Sequence, residues 1–184
     1  MPDSWRLPTA RLLSTAAIAV GLAAAGELDA AAATPEEVGR QLAQSREAWV
    51  EVKQQCGGNY EYVVRFESWT GFGHETTVIV RGNEVSERRF RSWPGRNQRA
   101  EGGAWVEDRG TIGTHDEGAK PKTLDELYDE AAAALAAEGP AEGREYVFRG
   151  DDDGLMLACY WIDTRIADDA PRHGVLLSRL NVEK

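Results

Sequence analysis

Three histidines and the carboxylates near them are the groups in this sequence that could transfer protons. His74, His115 and His173 lie far apart along the chain, each in a stretch that contains glycine. Acid–base catalysis requires a histidine and a carboxylate within hydrogen-bond reach, and the sequence offers His115 with Asp116 and His173 with the aspartates of 168–169. No nucleophile motif stands beside either pair. We interpret the histidines as solvated loop residues, with a hydrolase that uses loop His and Asp groups as the alternative.

The sequence has no motif for a metal ion or a cofactor. A structural zinc site takes four cysteine or histidine ligands, whereas this chain has two cysteines and no closely spaced histidines. The acidic run 151–154 lacks the carboxylate that closes a calcium loop, because Ile162 stands at the closing position. We therefore predict no metal site and no cofactor, and we interpret 151–154 as a hairpin turn.

The two cysteines are candidates for one disulfide. Cys56 and Cys159 lie in different halves of the chain, and exported proteins fold in oxidising compartments. A bridge would close a loop of about 100 residues and stabilise the fold by roughly 4–5 kcal/mol in the chain-entropy model. We predict a Cys56–Cys159 disulfide, and the alternative is two separate buried thiols.

Three aromatic residues are predicted to meet at one end of a sheet. Trp69 and Phe72 stand in a glycine-containing loop between two strand-like runs, and Trp93 follows the next run. Because that run is antiparallel to the one before it, its carboxyl end approaches the same loop. Aromatic side chains at loop tips supply rigid contact area for a partner. We predict that the three form an exposed cluster that binds a protein or a glycan; alternatively, they fold back as a lid over the core.

The first 33 residues have the pattern of an export signal. Arg6 and Arg11 precede the uncharged stretch 12–26, and the small residues of 31–33 stand where a signal peptidase reads. The apolar stretch is shorter than the roughly 20 residues that span a bilayer. We predict a cleaved signal over residues 1–33 and a single domain over residues 34–184. We expect no stable membrane insertion after cleavage, and a periplasmic or extracellular location.

The chain is acidic, with a formal net charge of −10. That charge favours solubility and disfavours nucleic acid as a partner. Six arginines nevertheless cluster in the middle of the chain, and they either solvate strands and loops or form a docking patch for an acidic partner: Arg81, Arg88, Arg89, Arg91, Arg96 and Arg99.

Two capping boxes predict two helices. Thr34 and Glu37 begin the first, predicted over Pro35–Gln55, and Thr123 and Glu126 begin the second, which ends before a Gly-Pro pair. Alternation of apolar and polar residues predicts strands at 59–67, 75–81, 84–91, 145–149, 155–162 and 174–182, with a short additional strand near 104–108.

These elements predict an α+β fold. Each half has one helix and then three strands, so a repeated helix-strand-strand-strand order is expected. The first strand carries Tyr60, Tyr62, Val64 and Phe66 on one face, and an apolar face of this kind must be covered. We predict one antiparallel sheet of about six strands with both helices on one face.

Residues 38–180 contain six short features that together form a pattern. They are a helix tryptophan (Trp49), a Tyr-x-Tyr strand (Tyr60 and Tyr62), a strand with a Gly-Asn turn (78–83), a Thr-x-Asp-x-Leu helix start (123–127), an acidic Asp-Gly turn (151–154) and a closing strand (174–175). This pattern resembles a family of bacterial exported domains of unknown function, often lipoproteins. This chain lacks the anchor cysteine of the lipoprotein members, and the resemblance implies no catalytic residues.

The element order is also similar to that of secreted inhibitory or propeptide-like modules, which are binding domains. The sequence therefore favours a non-catalytic binding or interaction module of the cell envelope or secreted fraction. The alternative remains the hydrolase-type enzyme.

Overall fold

The computed structural model describes residues 33–96, 101–137, 142–166 and 170–183. The described chain is α+β, as predicted, and its elements are, in order, α1 (Pro35–Gln55), β1 (Tyr60–Glu67), β2 (Gly73–Arg81), β3 (Glu84–Trp93), β4 (Ala104–Asp108), α2 (Leu124–Leu135), β5 (Arg144–Gly150), β6 (Met156–Asp163), β7 (His173–Leu176) and β8 (Arg179–Val182). No helix of the described chain has both the length and the hydropathy to cross a bilayer. The predicted export signal falls almost wholly on residues 1–32, outside the described residues.

Both helices begin at the predicted threonines. The backbone N–H of Glu37 donates to the Thr34 hydroxyl at 3.2 Å, and the Glu37 carboxylate accepts from the Thr34 N–H at 2.9 Å. Thr123 and Glu126 form the same reciprocal pair at the start of α2. Each cap satisfies backbone donors that a helix start leaves unpaired, which stabilises a helix by about 1 kcal/mol. The capping boxes were therefore a sound local signal.

The strands form two antiparallel sheets, so the prediction of one six-stranded sheet was wrong. The larger sheet has the order β4-β3-β2-β1-β8, and the smaller has the order β5-β6-β7. The predicted closing strand 174–182 is divided between them, because β7 pairs with β6 while β8 pairs with β1. At the division the Leu177 N–H donates to the Leu157 carbonyl and the Ser178 N–H donates to the Val63 carbonyl, both at 2.7 Å. One extended segment thus serves both sheets in turn.

The predicted repeat of one helix and three strands is not confirmed. In the described chain each helix is followed by four strands. The short strand at Ala104–Asp108, predicted as an addition, is β4 at the edge of the larger sheet. The fourth strand of the second half, β8, leaves its own half and joins β1.

The core lies where the helices meet both sheets. The helices contact each other, and both contact β6 of the smaller sheet. From the larger sheet, Tyr60 packs edge-on against Trp49 of α1 with ring centroids 5.0 Å apart. Its hydroxyl accepts from the Leu124 N–H at 2.7 Å, and the Tyr62 hydroxyl donates to the Lys122 carbonyl at 2.7 Å. These partners allow both phenols to be buried without a lost hydrogen bond.

The cover over β1 is incomplete. Tyr60 and Tyr62 are 1% exposed, whereas Phe66, on the same face and further along the strand, is 46% exposed. The segment between β4 and α2 covers the middle of this face, where the Ala119 N–H donates to the Thr76 hydroxyl at 3.0 Å. Gly118 has a φ of +77°, and its backbone lies so close to the sheet that a Cβ would be 2.4 Å from the Thr76 hydroxyl. The far end of the face remains open.

Candidate functional site

A row of aromatic rings crosses the larger sheet toward its open end. Residues that pair in register on neighbouring strands share a sheet face, and the register pairs Phe66 with His74 and Phe90 with Trp105. The successive centroid distances are 6.4 Å for Phe72–Phe66, 5.5 Å for Phe66–His74, 5.8 Å for His74–Phe90, 5.1 Å for Phe90–Trp105 and 4.3 Å for Trp105–His115. The row joins the covered middle of the face to its exposed end.

Three large apolar side chains are exposed at that end and form what we call the Trp69 patch: Phe66, Trp69 and Phe72. Trp69 is 92% exposed, Phe66 46% and Phe72 41%. Trp69 therefore does not fold back as a lid over the core. Phe66 was missed by sequence reasoning, because its alternation with Tyr60 and Tyr62 predicted that it would be covered.

The loop that carries Trp69 is held by its own hydrogen bonds. The Ser68 N–H donates to the Phe72 carbonyl at 2.8 Å, and the Gly71 N–H donates to the Ser68 carbonyl at 2.9 Å. The Ser68 and Thr70 hydroxyls are 2.7 Å apart, and the Arg96 N–H donates to the Thr70 carbonyl at 3.0 Å. Gly71 has a φ of +83°, a conformation that glycine adopts without steric cost. These bonds give the backbone that carries Trp69 a defined conformation.

Trp93, the third predicted site residue, lies on the other face of the sheet. It pairs in register with Gly73, whereas Phe66 pairs with the next residue, His74, and successive residues of a strand point to opposite faces. Its ring covers Gly73, where a Cβ would lie 2.5 Å from a ring atom. The guanidinium of Arg65 lies 5.0 Å from the ring centroid. The structure brings Phe72 and Phe66 together but does not add Trp93 to them.

A groove of about 750 Å³ lies beside the Trp69 patch. One wall is formed by the end of β1 and the Trp69 loop, and the other by residues 170–172 and Leu176. Arg65, Glu67 and Arg172 are the charged residues among its described lining. This groove combines exposed aromatic rings with charged side chains.

A second cluster of polar groups is buried under the segment between β4 and α2. Arg88 and Glu107 have no exposed side-chain surface, and Arg88 Nε lies 3.1 Å from Glu107 Oε2. Arg88 also donates to the carbonyls of His115 at 2.7 Å and Ala119 at 3.2 Å. Its guanidinium lies 4.6 Å from the centroid of the Trp105 ring. Arg88 is thus a buried structural residue and not part of a solvated basic run.

Glu107 accepts hydrogen bonds from the same segment. Its oxygens accept from the N–H groups of Gly113 at 2.8 Å and His115 at 2.6 Å, and Oε1 lies 3.0 Å from His115 Nδ1. Burial raises the pKa of this carboxyl, but the hydrogen bonds from Gly113 and His115 and the charge of Arg88 outweigh burial and lower the pKa to about 2. An ionised Glu107 therefore fastens this segment to the sheet.

The structure does not show the His115–Asp116 pair that the sequence offered. His115 meets Glu107 and not Asp116, whose side chain is fully exposed. The Thr114 hydroxyl lies 3.5 Å from His115 Nδ1, the same nitrogen that faces Glu107. A catalytic triad places the nucleophile and the carboxylate on opposite ring nitrogens, so these three groups are not arranged as one.

The other predicted pair, His173 with the aspartates of 168–169, stays a prediction. His173 stacks on Trp161 with centroids 4.0 Å apart, and the aspartates of 168–169 lie outside the described residues. Within the described ranges, no three His, Cys, Asp or Glu side chains converge as they would on a metal ion.

The cysteines are both buried and are free thiols in the structure. Cys56 Sγ donates to the Lys53 carbonyl at 3.5 Å, and burial raises the pKa of Cys159 to about 11. The disulfide between them stays a prediction.

Most of the predicted basic cluster is neutralised locally. Apart from Arg88, Arg81 pairs with Glu183 at 2.8 Å, Arg91 with Glu75 at 3.0 Å, and Arg89 with Glu87. Arg99 lies outside the described residues. These pairs favour the solvation of strands over a docking patch.

The acidic run 151–154 forms the predicted hairpin turn between β5 and β6. The Asp151 carboxylate accepts from the N–H groups of Asp153 at 3.0 Å and Leu155 at 2.8 Å. Its oxygen is therefore occupied by the backbone of the turn.

Comparisons of the chain with family models, curated proteins and solved structures find no match. The resemblance to exported domains of unknown function therefore stays a prediction, and the candidate sites stand on geometry alone.

Proposed function

We propose that this protein is an exported, non-catalytic binding module of the cell envelope or secreted fraction, and that the Trp69 patch is its binding surface. The partner on this proposal is a protein or a glycan, as the aromatic composition of the loop suggests. The observation that supports this proposal most directly is that Trp69 is 92% exposed. Burying a large apolar side chain contributes about 1.5–3 kcal/mol of favourable free energy. Folding does not bury Trp69, so this free energy is available to the binding of a partner.

The order of the loop supports the same proposal. Hydrogen bonds at Ser68, Thr70 and Gly71 order the backbone on either side of Trp69 before any partner arrives. A preorganised contact residue costs less conformational entropy on binding, and exposed tryptophan is enriched among residues that dominate interface energies.

The test is capture of envelope material by immobilised protein, compared across matched variants. We expect wild type and Val106→Ala to retain the same partner, and Trp69→Ala combined with Phe72→Ala to lose it. Val106 is a suitable control because it is 62% exposed on β4, away from the patch. Equal retention by all three proteins would refute a role for the patch.

The second candidate function is the hydrolase, and one contact favours it. His115 Nδ1 lies 3.0 Å from Glu107 Oε1, a geometry in which the carboxylate orients the ring for acid–base work through Nε2. The alternative requires His115→Ala to abolish hydrolysis of ester, peptide or glycosidic model substrates by the purified protein. If wild type hydrolyses none of them, the hydrolase is rejected for those bonds.

A further inference from the structure

The groove beside the Trp69 patch is lined by both apolar and charged residues. Phe66, Trp69 and Leu176 supply apolar surface, and Arg65, Glu67 and Arg172 supply charge. Its volume of about 750 Å³ lies within the range of small-molecule sites, about 300–1,000 Å³. A purely apolar ligand would desolvate these charged groups without offering them any hydrogen bond in return. The occupant should therefore have both an apolar face and polar groups at its edge.

A sugar ring has this distribution of groups. The C–H bonds of one pyranose face are weakly positive and pack against the negative face of an aromatic ring, while hydroxyls around the ring edge exchange hydrogen bonds with charged side chains. The exposed indole of Trp69 is the platform for such a face, and Arg65 and Glu67 line the same groove.

The charges of the groove distinguish among sugars. Arg65 is already paired, with its Nη2 2.5 Å from Glu67 Oε2. Arg172 meets no carboxylate within the described chain, and its guanidinium lies 5.8 Å from the ring centroid of Tyr160. A guanidinium binds a carboxylate through two parallel hydrogen bonds. Among the described residues that line the groove, Arg172 is thus the arginine that is not already paired with a carboxylate, and an acidic group on the ligand can pair with it.

From these contacts we infer that the groove binds a carboxylate-bearing oligosaccharide, with a sugar ring stacked on Trp69 and the carboxylate on Arg172. This inference rests on the proposed function, since Trp69 belongs to both, and it narrows the partner to an acidic glycan. The net charge of −10 repels an acidic ligand at long range, but salt screens that repulsion beyond about 8–10 Å. Binding therefore depends on the local contacts.

The experiment titrates the purified protein with trigalacturonate and with neutral cellotriose at physiological salt, using calorimetry or amide chemical shifts. We expect trigalacturonate to bind at least tenfold more tightly than cellotriose. Arg172→Gln should abolish that difference, because a charge-assisted pair of this kind is worth about tenfold or more. Trp69→Ala should weaken both ligands, and Val106→Ala neither.

Different failures have different meanings. Equal affinity for the two sugars, or no effect of Arg172→Gln, overturns the acidic-glycan inference. Binding of neither sugar, with capture of an envelope protein still lost in the Trp69 variant, overturns the inference and leaves the proposed function standing. Trp69-dependent binding to phosphatidylglycerol vesicles without binding of either sugar also overturns it. If the Trp69 variant matches wild type in every assay, both proposals fail.

Discussion

Glu107 Oε2 lies 3.1 Å from Arg88 Nε, and neither side chain has any surface exposed to solvent. The pair joins β3 to β4 and, through Gly113, His115 and Ala119, fastens the segment that covers the middle of the larger sheet. Removing one partner would leave a buried charge without compensation. Among the ion pairs of the described residues, this fully buried pair is therefore the one whose disruption should lower the free energy of unfolding most.

Glu107→Gln is expected to lower the free energy of unfolding by about 3–5 kcal/mol, because it leaves Arg88 buried and unpaired. Glu183→Gln is the matched control, since its side chain is 57% exposed and that of its partner Arg81 is 39% exposed, and exposed pairs contribute about 0–1 kcal/mol. Urea denaturation followed by far-UV circular dichroism measures both. The double variant Arg88→Met, Glu107→Leu should recover only the part of the loss that comes from the unpaired charge, because the N–H groups of Gly113 and His115 then lack the acceptor that Glu107 supplied. Equal effects of the two Gln variants would contradict the assignment.

Acid should weaken the fold through the same carboxylate. The pKa of Glu107 is about 2 in the folded protein, below its ordinary value of 4.5. A depressed pKa contributes stability that is fully present above the ordinary value and is lost as pH falls toward the folded value. We expect the urea midpoint to fall between pH 4.5 and pH 2, and to fall less steeply in Glu107→Gln. Parallel pH profiles for the two proteins would show that another group is responsible.

Local signals predicted the helices but not the division of the last strand. Thr34 and Thr123 cap their helices through residues three positions away, so the determining contacts lie within a short window of sequence. The break at Leu177–Ser178 depends on pairing with Leu157 and Val63, which no local pattern encodes. Periodicity predicts a strand and does not determine which neighbour it joins.

The candidate site residues divide in the same way. Loop composition was enough to single out Trp69 and Phe72, whereas the placement of Trp93 depended on register with Gly73. Arg88 stood in a run of arginines that was expected either to solvate strands and loops or to form a docking patch. Its burial was not predicted, because its partner Glu107 is adjacent only through the β3–β4 pairing. The sequence did contain one signal for this burial, because the alternation of side chains along the strand places the charged Arg88 on its apolar face.

Trp69→Ala should not destabilise the protein, and this separates binding from folding. The side chain is 92% exposed, and substitutions at such sites usually change stability by less than about 0.5 kcal/mol. Trp49→Ala is the contrast, because Trp49 is fully buried against Tyr60 and loss of a buried aromatic costs about 3–5 kcal/mol. Thermal and urea melts measure both. A Trp69→Ala loss comparable to that of Trp49→Ala would mean that the indole is structural.

Export predicts a specific mature terminus. Cleavage after residue 33 leaves Thr34 as the first residue, which is also the N-cap of α1. The mass of the protein recovered from exporting cells should therefore correspond to residues 34–184. The α-amino group of a terminal Thr34 can still donate to Glu37, so the cap should survive cleavage. A mass corresponding to the full chain would contradict the cleaved signal.

The cysteines give the last test, which needs denaturing conditions. Both thiols are buried, and burial holds the pKa of Cys159 at about 11, so the thiolate that reacts with iodoacetamide is scarce in the native state. Urea unfolds the protein and exposes both cysteines, so alkylation in urea without reductant labels every free thiol. A Cys56–Cys159 disulfide predicts no added mass until reductant is supplied, and a loss of up to roughly 4–5 kcal/mol on reduction. Two alkyl groups added without reductant would show instead that both residues are free thiols packed in the fold.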